Sequence, residues 1–172
     1  KEQRYDTPKG EGVRPYLTPS IPAEVWQDTT KPLCVVEAPL KALSVTANVM
    51  PCIGLAGVNT GHEKGAVVDR LHPELRKIAC EGRRLTLIYD AGRALNKKVL
   101  AAEKKQAQLF SGRGAEVFIA ELPLTDEGKD QGPDDFIARH GADALRAIID
   151  AAKPLSEAYP NEEKRHASKK TQ

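Results

Sequence analysis

At 172 residues the chain suits one domain with a real core and is too short for two of ordinary size. Hydrophobic residues make up 40% and charged residues 29%, a balance that excludes a disordered chain. A net charge of +2 excludes a basic arm that grips nucleic acid by bulk charge, so any such contact must come from a local patch.

Residues 1–32 hold Pro8, Pro15, Pro19, Pro22 and Pro32 and few apolar runs. They read as an irregular lead-in with one short strand near Arg14 to Leu17. Leu33-Cys34-Val35-Val36 is a short apolar run ending on Glu37, the pattern of a strand buried on both faces. Pro39 suits the first turn of a helix, and Leu40, Leu43 and Ala47 then recur at helical spacing. Pro51 stops that helix, and Cys52-Ile53-Gly54-Leu55 reads as a second strand. Gly54, Gly57, Gly61 and Gly65 make the next stretch a loop. A helix is expected around Pro73 to Ala79, with Gly82 just past its end.

Leu85 to Tyr89 is the clearest strand, and it ends on Asp90. A long helix follows from about Leu95 to Phe110, with Val99, Ala102, Leu109 and Phe110 on one side and Gly112 and Gly114 at its end. Val117 to Ala120 is a fourth strand. A polar loop, Thr125 to Pro133, leads to Asp134-Asp135-Phe136-Ile137. A last helix carries Leu145, Ile148, Ile149 and Ala152 at i, i+3, i+4 and i+7 and closes at Pro154. From about Glu157 the chain is charged and holds no core residues. Strand and helix alternate from 33 to 152, which predicts a parallel sheet flanked by helices with right-handed crossovers. The expected organisation is a lead-in at 1–32, an α/β domain at 33–153 and a charged tail or linker at 154–172.

Cys34, Cys52 and Cys80 are odd in number and widely spaced, with no Cys-x-x-Cys pair. That argues against a zinc ribbon and for reduced, buried thiols in a cytoplasmic protein. No apolar run is long enough to span a membrane. The polar start does not read as a signal peptide. The chain opens on Lys1 rather than Met, as a piece cut from a longer protein would.

Ligands of open parallel sheets sit outside the carboxyl ends of the strands. Glu37 and Asp90 each end a strand, and Asp134-Asp135 follows a glycine-proline turn. Oxygen-only ligands from separate loops are what Mg²⁺ prefers. One such acid alone reads as a cap of the helix that follows it, whereas acids at three sheet-edge positions together read as a shared metal or phosphate site. Lys41 lies one turn into the first helix and either holds a phosphate at the same edge or is a solvated lysine. Arg93, Lys97 and Lys98 follow Asp90 closely and, with Lys129, are candidate phosphate contacts or an exposed basic surface. Asn96 is placed to cap or brace the Asp90 loop. His62, His72, His140 and His166 have no ligand spacing. The glycines of the loop lack a phosphate-loop signature. Trp26 and the tyrosines are too scattered for a base-stacking platform.

The runs Val35-Val36-Glu37-Ala38-Pro39-Leu40-Lys41-Ala42, Ile53 to Val58, Tyr89-Asp90-Ala91-Gly92 and Gly132-Pro133-Asp134-Asp135-Phe136 stand in that order. In this they resemble a Toprim domain, the Rossmann-like fold shared by bacterial primases, topoisomerases and some nucleases. The likeness is greatest to the Toprim-like domain beside the helicase in phage- and plasmid-encoded primase-helicases. The segment Tyr5 to Gly10 is similar to what precedes that domain. The resemblance implies a cytoplasmic DNA replication protein of a mobile element, a DNA primase-type nucleotidyltransferase if active. It implies DNA or nucleotides as ligands and helicase or primase domains as partners. It makes Glu37 the Toprim glutamate, a metal ligand or general acid/base, and Asp90 the first aspartate of an Asp-x-Asp motif. The second aspartate falls at Gly92, which has no ligand to offer. Asp134 or Asp135 would then supply the missing oxygen, and Mg²⁺ or Mn²⁺ would be weakly bound. One of these two is expected to face the Glu37–Asp90 edge and the other to cap a helix beginning near Phe136. A module that binds DNA or a partner without catalysis, or a nuclease, are the alternatives.

Overall fold

The computed structural model describes residues 13–63 and 70–160. The segment Tyr5 to Gly10, Gly65, His166 and the tail beyond 160 lie outside the described residues. Six strands form one sheet: β1 (Tyr16–Leu17), β2 (Leu33–Val36), β3 (Cys52–Gly54), β4 (Arg84–Ile88), β5 (Glu116–Ala120) and β6 (Lys153–Pro154). Their order is β1-β3-β2-β4-β5-β6. The helices are α1 (Pro39–Asn48), α2 (Pro73–Arg76), α3 (Lys97–Ser111), α4 (Pro133–His140), α5 (Ala142–Asp150) and α6 (Leu155–Ala158). The fold is therefore the expected α/β sheet flanked by helices.

The four inner strands run parallel, with Val35 beside Ile53 on one side and beside Leu87 on the other. Both edges are antiparallel: β1 on β3 and β6 on β5. The parallel expectation thus holds for the inner strands and not for the two edges. Each edge strand is two residues long, too short to carry a periodic signal.

Strand β2 shows why its sequence is unbroken apolar. Successive side chains alternate between faces. Leu33 and Val35 join the core of Leu85, Leu87, Ala107 and Phe110. Cys34 and Val36 join that of Ala42, Val45, Phe136, Leu145 and Ile149. Helices α2, α3 and α6 therefore cover one face, and α1, α4 and α5 the other. All three cysteines are buried and free.

Three local readings need correction. Helix α1 buries Ala42 and Val45, while Leu40 and Leu43 are 58% and 45% exposed. The small Ala42 lets the helix lie close on the sheet. The helix expected near Phe136 begins at Pro133, and Gly141, with φ of 85°, divides it from α5. The stretch from 154 does hold core contacts, since Leu155, Ala158 and Tyr159 pack against the first core.

Gly54 fixes how near α1 comes to the sheet. A Cβ there would stand 2.8 Å from Pro39 Cα and 3.0 Å from the Ala38 carbonyl oxygen. Both are backbone atoms and cannot swing aside. Gly54→Ala is expected to cost about 1–3 kcal/mol, read by urea denaturation. An unchanged midpoint would show that the Ala38–Pro39 turn yields freely.

Candidate functional site

The chain leaves β2 for β3 on one side and leaves β4 for β5 on the other. The carboxyl ends of β2 and β4 are thus the switch point of the sheet, where a crevice opens. Glu37 follows β2, and Asp90 follows β4 by one residue beyond Tyr89. The Glu37 turn is held by Leu55 N–H donating to Val36 O at 2.7 Å and Gly57 N–H donating to Glu37 O at 2.9 Å. Gly57 itself has φ of 114°, a conformation that favours glycine.

The two carboxylates meet on Lys41. Its Nζ donates to Glu37 Oε1 at 3.0 Å and to Asp90 Oδ1. One helical turn separates Glu37 from Lys41, the spacing at which such pairs form. The Lys41 and Glu37 side chains are each 17% exposed. Burial opposes the lysine's charge, but the bond to Asp90 and the charges of both carboxylates outweigh it, and its pKa stands above the ordinary value. Lys41, read as either a phosphate holder or a solvated lysine, is here bonded to two carboxylates.

Burial, and a hydrogen bond shared with Glu37, push the Asp90 carboxyl from the ordinary 3.8 up to about 6, with Lys41 pulling the other way. The folded chain therefore holds this proton more tightly than the unfolded chain. The stabilising contribution is complete below 3.8 and is lost as the pH rises through about 6. The native chain is expected to lose stability relative to Asp90→Asn across that interval and to run parallel to it above. A stability difference independent of pH would contradict this.

Asp134 faces the same crevice. The point where a Cβ on Gly132 would stand is 2.6 Å from Asp134 Oδ1, 2.8 Å from Lys41 Cε and 3.1 Å from Asp90 Oδ1. Asp134 Oδ1 is buried there without a hydrogen-bond partner. Asp135 is exposed in the first turn of α4. It makes no side-chain cap; the N-cap position belongs to Gly132. Its charge still suits a helix N-terminus.

Around Gly92 the structure adds a residue that the sequence did not single out. Gly92 N–H donates to Asp130 Oδ1 at 2.6 Å. A Cβ on Gly92 would stand 2.8 Å from Asp130 Cγ. The Asp130 carboxylate thus fills the space that a side chain at 92 would enter. Ala91 N–H donates to Gln131 O at 3.0 Å, so the two loops run together. This meeting spans 38 residues and leaves no local signal.

Arg93 does not reach solvent as expected of a phosphate contact. It is 8% exposed and pairs with buried Glu103 and with Glu121. Lys97 and Lys98 are exposed at the start of α3, where Asn96 caps by accepting from Lys98 N–H at 3.1 Å and Val99 N–H at 3.4 Å. Lys129 is exposed and pairs with Glu127 at 2.5 Å. His62 makes a backbone bridge with Leu71, outside this cluster.

The carboxylates of Glu37, Asp90 and Asp134 are the oxygen donors that Mg²⁺ takes. The position between the first two, however, is held by the Lys41 ammonium. Among the described residues, no group of three or more His, Cys, Asp or Glu side chains is gathered closely enough to hold a metal ion. As arranged, the residues do not fit a bound divalent ion.

Residues 23–144 match the model of a family described as a domain of unknown function, DUF3854. The chain belongs to this family. Comparison with curated proteins gives no match. Among solved structures, this DUF3854 domain is similar to the zinc-binding and RNA polymerase domains of the Aquifex aeolicus primase. The TM-score is 0.52 at 18% identity, over 83% of this chain and 31% of that one. It is also similar to a DnaG primase catalytic domain bound to ssDNA, with TM-score 0.48 and 15% identity over 73% of this chain and 36% of that one. The DnaG catalytic core gives 0.46 at 16% identity, with the same coverage of 73% and 36%. The DUF3854 domain spans about a third of the length of these chains. Its fold is that of a primase Toprim-like domain. No helix among the described residues is long and apolar enough to cross a membrane.

Proposed function

We propose that this chain is the Toprim-like domain of a mobile element's DNA replication protein, working in the cytoplasm beside a primase or helicase domain of the same or a partner protein. It engages DNA or nucleotides at the crevice between β2 and β4. The observation that carries this reading is the meeting of Glu37 and Asp90 at the switch point of a primase Toprim-like sheet. In this reading Glu37 is the general acid or base. Asp90 and Asp134 frame the crevice, and exposed Lys97, Lys98 and Lys129 meet backbone phosphates. No divalent ion sits at the crevice in this reading, since the Lys41 ammonium already bridges the two carboxylates. Nucleotidyl transfer by the isolated domain is accordingly slight.

Gly92 and the Lys41 contacts favour a second reading, in which the domain binds DNA as an accessory and performs no chemistry.

Fluorescence anisotropy with a single-stranded oligonucleotide tests the proposal, with primer-synthesis and nicking assays in Mg²⁺ and Mn²⁺ beside it. The native chain is expected to bind, and Lys97→Ala with Lys98→Ala to weaken binding and flatten its salt dependence. A native chain that binds neither DNA nor nucleotides would remove the proposal. Vigorous primer synthesis or nicking would exclude the accessory reading.

A further inference from the structure

We infer that Lys41 is the resident cation of this crevice, taking the place of a divalent metal, so that the domain holds its acidic edge together and meets nucleic acid without one. The inference rests on the proposed function for its ligand and on geometry for the rest. A metal at a pair of strand-end carboxylates bridges them and offsets their charge. Lys41 Nζ does both, donating to Glu37 Oε1 at 3.0 Å and to Asp90. It does so from a side chain 17% exposed, where a loose ammonium would have to shed its water.

The competitor that a metal must displace is part of the chain. Being tethered, it meets the carboxylates at an effective concentration set by its own stem and not by the solution. The glycine at 92 points the same way. Residue 92 offers no side-chain ligand, and the Asp130 carboxylate that fills its space is committed to the Gly92 N–H. Asp134 Oδ1, buried and without a hydrogen-bond partner beside Lys41 Cε, is the oxygen donor that an entering cation would use. The site thus holds one tethered positive charge against the carboxylates of Glu37, Asp90 and Asp134, with an oxygen donor left over once the tether is cut.

Mn²⁺ binding, followed by the paramagnetic resonance of the free ion, tests this. The native chain is expected to show no saturable site. Lys41→Gln, which keeps the stem and loses the charge, is expected to gain one, and Glu37→Gln in that background should abolish it. Saturable Mn²⁺ binding by the native chain, as tight as in Lys41→Gln and lost with Glu37→Gln, would overturn the inference. So would a folded Lys41→Gln that gains nothing. If Lys41→Gln does not fold, the native titration alone decides, and Lys41→Met provides a second variant. Oligonucleotide binding by the native chain should be unchanged by a chelator; binding abolished by the chelator counts against Lys41 as the cation. A chain that never binds oligonucleotide would defeat the replication reading, and the Mn²⁺ titration would still decide the role of Lys41.

Discussion

Arg83→Ala is expected to destabilise the domain by about 3–5 kcal/mol, since four interior carbonyls lose a charged donor at once. Arg83 stands just before β4 and is fully buried. Its Nε donates to Lys31 O at 2.7 Å, Nη2 to Val25 O at 2.7 Å, and Nη1 to Trp26 O at 3.0 Å and Ala79 O at 3.2 Å. One planar guanidinium thereby ties the segment before β2 to the turn before β4. Truncation leaves these carbonyls without their donor in the interior. Arg83→Lys should recover only part of the loss. A single ammonium on a flexible stem cannot span directions that the rigid fork meets at once. Urea denaturation measures both. A loss below about 1 kcal/mol for the alanine variant would mean that water replaces the guanidinium at no real cost.

Glu103→Ala is expected to cost about 3 kcal/mol, because it takes from a buried guanidinium its buried counter-charge and leaves only the exposed Glu121. Glu103 is fully buried on α3 and pairs with Arg93, whose second branch reaches Glu121 at 3.1 Å. Tyr159 Oη donates to the same Glu103 Oε2 at 2.5 Å. Burial raises the Glu103 pKa, and Arg93 opposes that rise. The network joins the loop after Asp90 to the segment around α6, so damage should spread to the crevice. Tyr159→Phe should cost less, about 1–3 kcal/mol, as one bond to a charged group is lost. Double-mutant analysis of Arg93 and Glu103 checks the pairing. Additive losses would show that the two do not act together.

Much of the fold was legible because buried strands write continuous apolar runs. Leu33–Val36 and Leu85–Tyr89 needed no partner to be recognised, and both ended on acids. Parallel neighbours then had to bring Glu37 and Asp90 to one edge. What the sequence hid depends on contacts distant in the chain. Arg93 looks like a solvent-facing base until Glu103 and Glu121 are placed around it. Asp130 looks like any loop acid until its loop lies against Gly92. Helix α1 misled for a different reason. Leu40 and Leu43 carry the larger hydrophobic signal, but the close approach at Gly54 admits the smaller Ala42 face. Lys41 was half legible. Its spacing from Glu37 is that of a helical ion pair, while the bond to Asp90 awaited the sheet order.

The cysteines give the domain its own clock for local opening. Cys34 and Cys52 stand opposite each other in the register of β2 and β3, in the core beneath α1. Cys80 belongs to the core on the other face. Burial pushes the Cys34 thiol up to about 12 and raises Cys52 and Cys80 as well. An alkylating reagent needs a thiolate it can reach, so labelling proceeds only through transient exposure. With Cys80 replaced by alanine, the labelling rate times how often α1 lifts from the sheet. With Cys34 and Cys52 replaced instead, it times the opposite face. Comparing the two rates, with and without oligonucleotide, would reveal whether occupying the crevice quiets one side of the sheet or both.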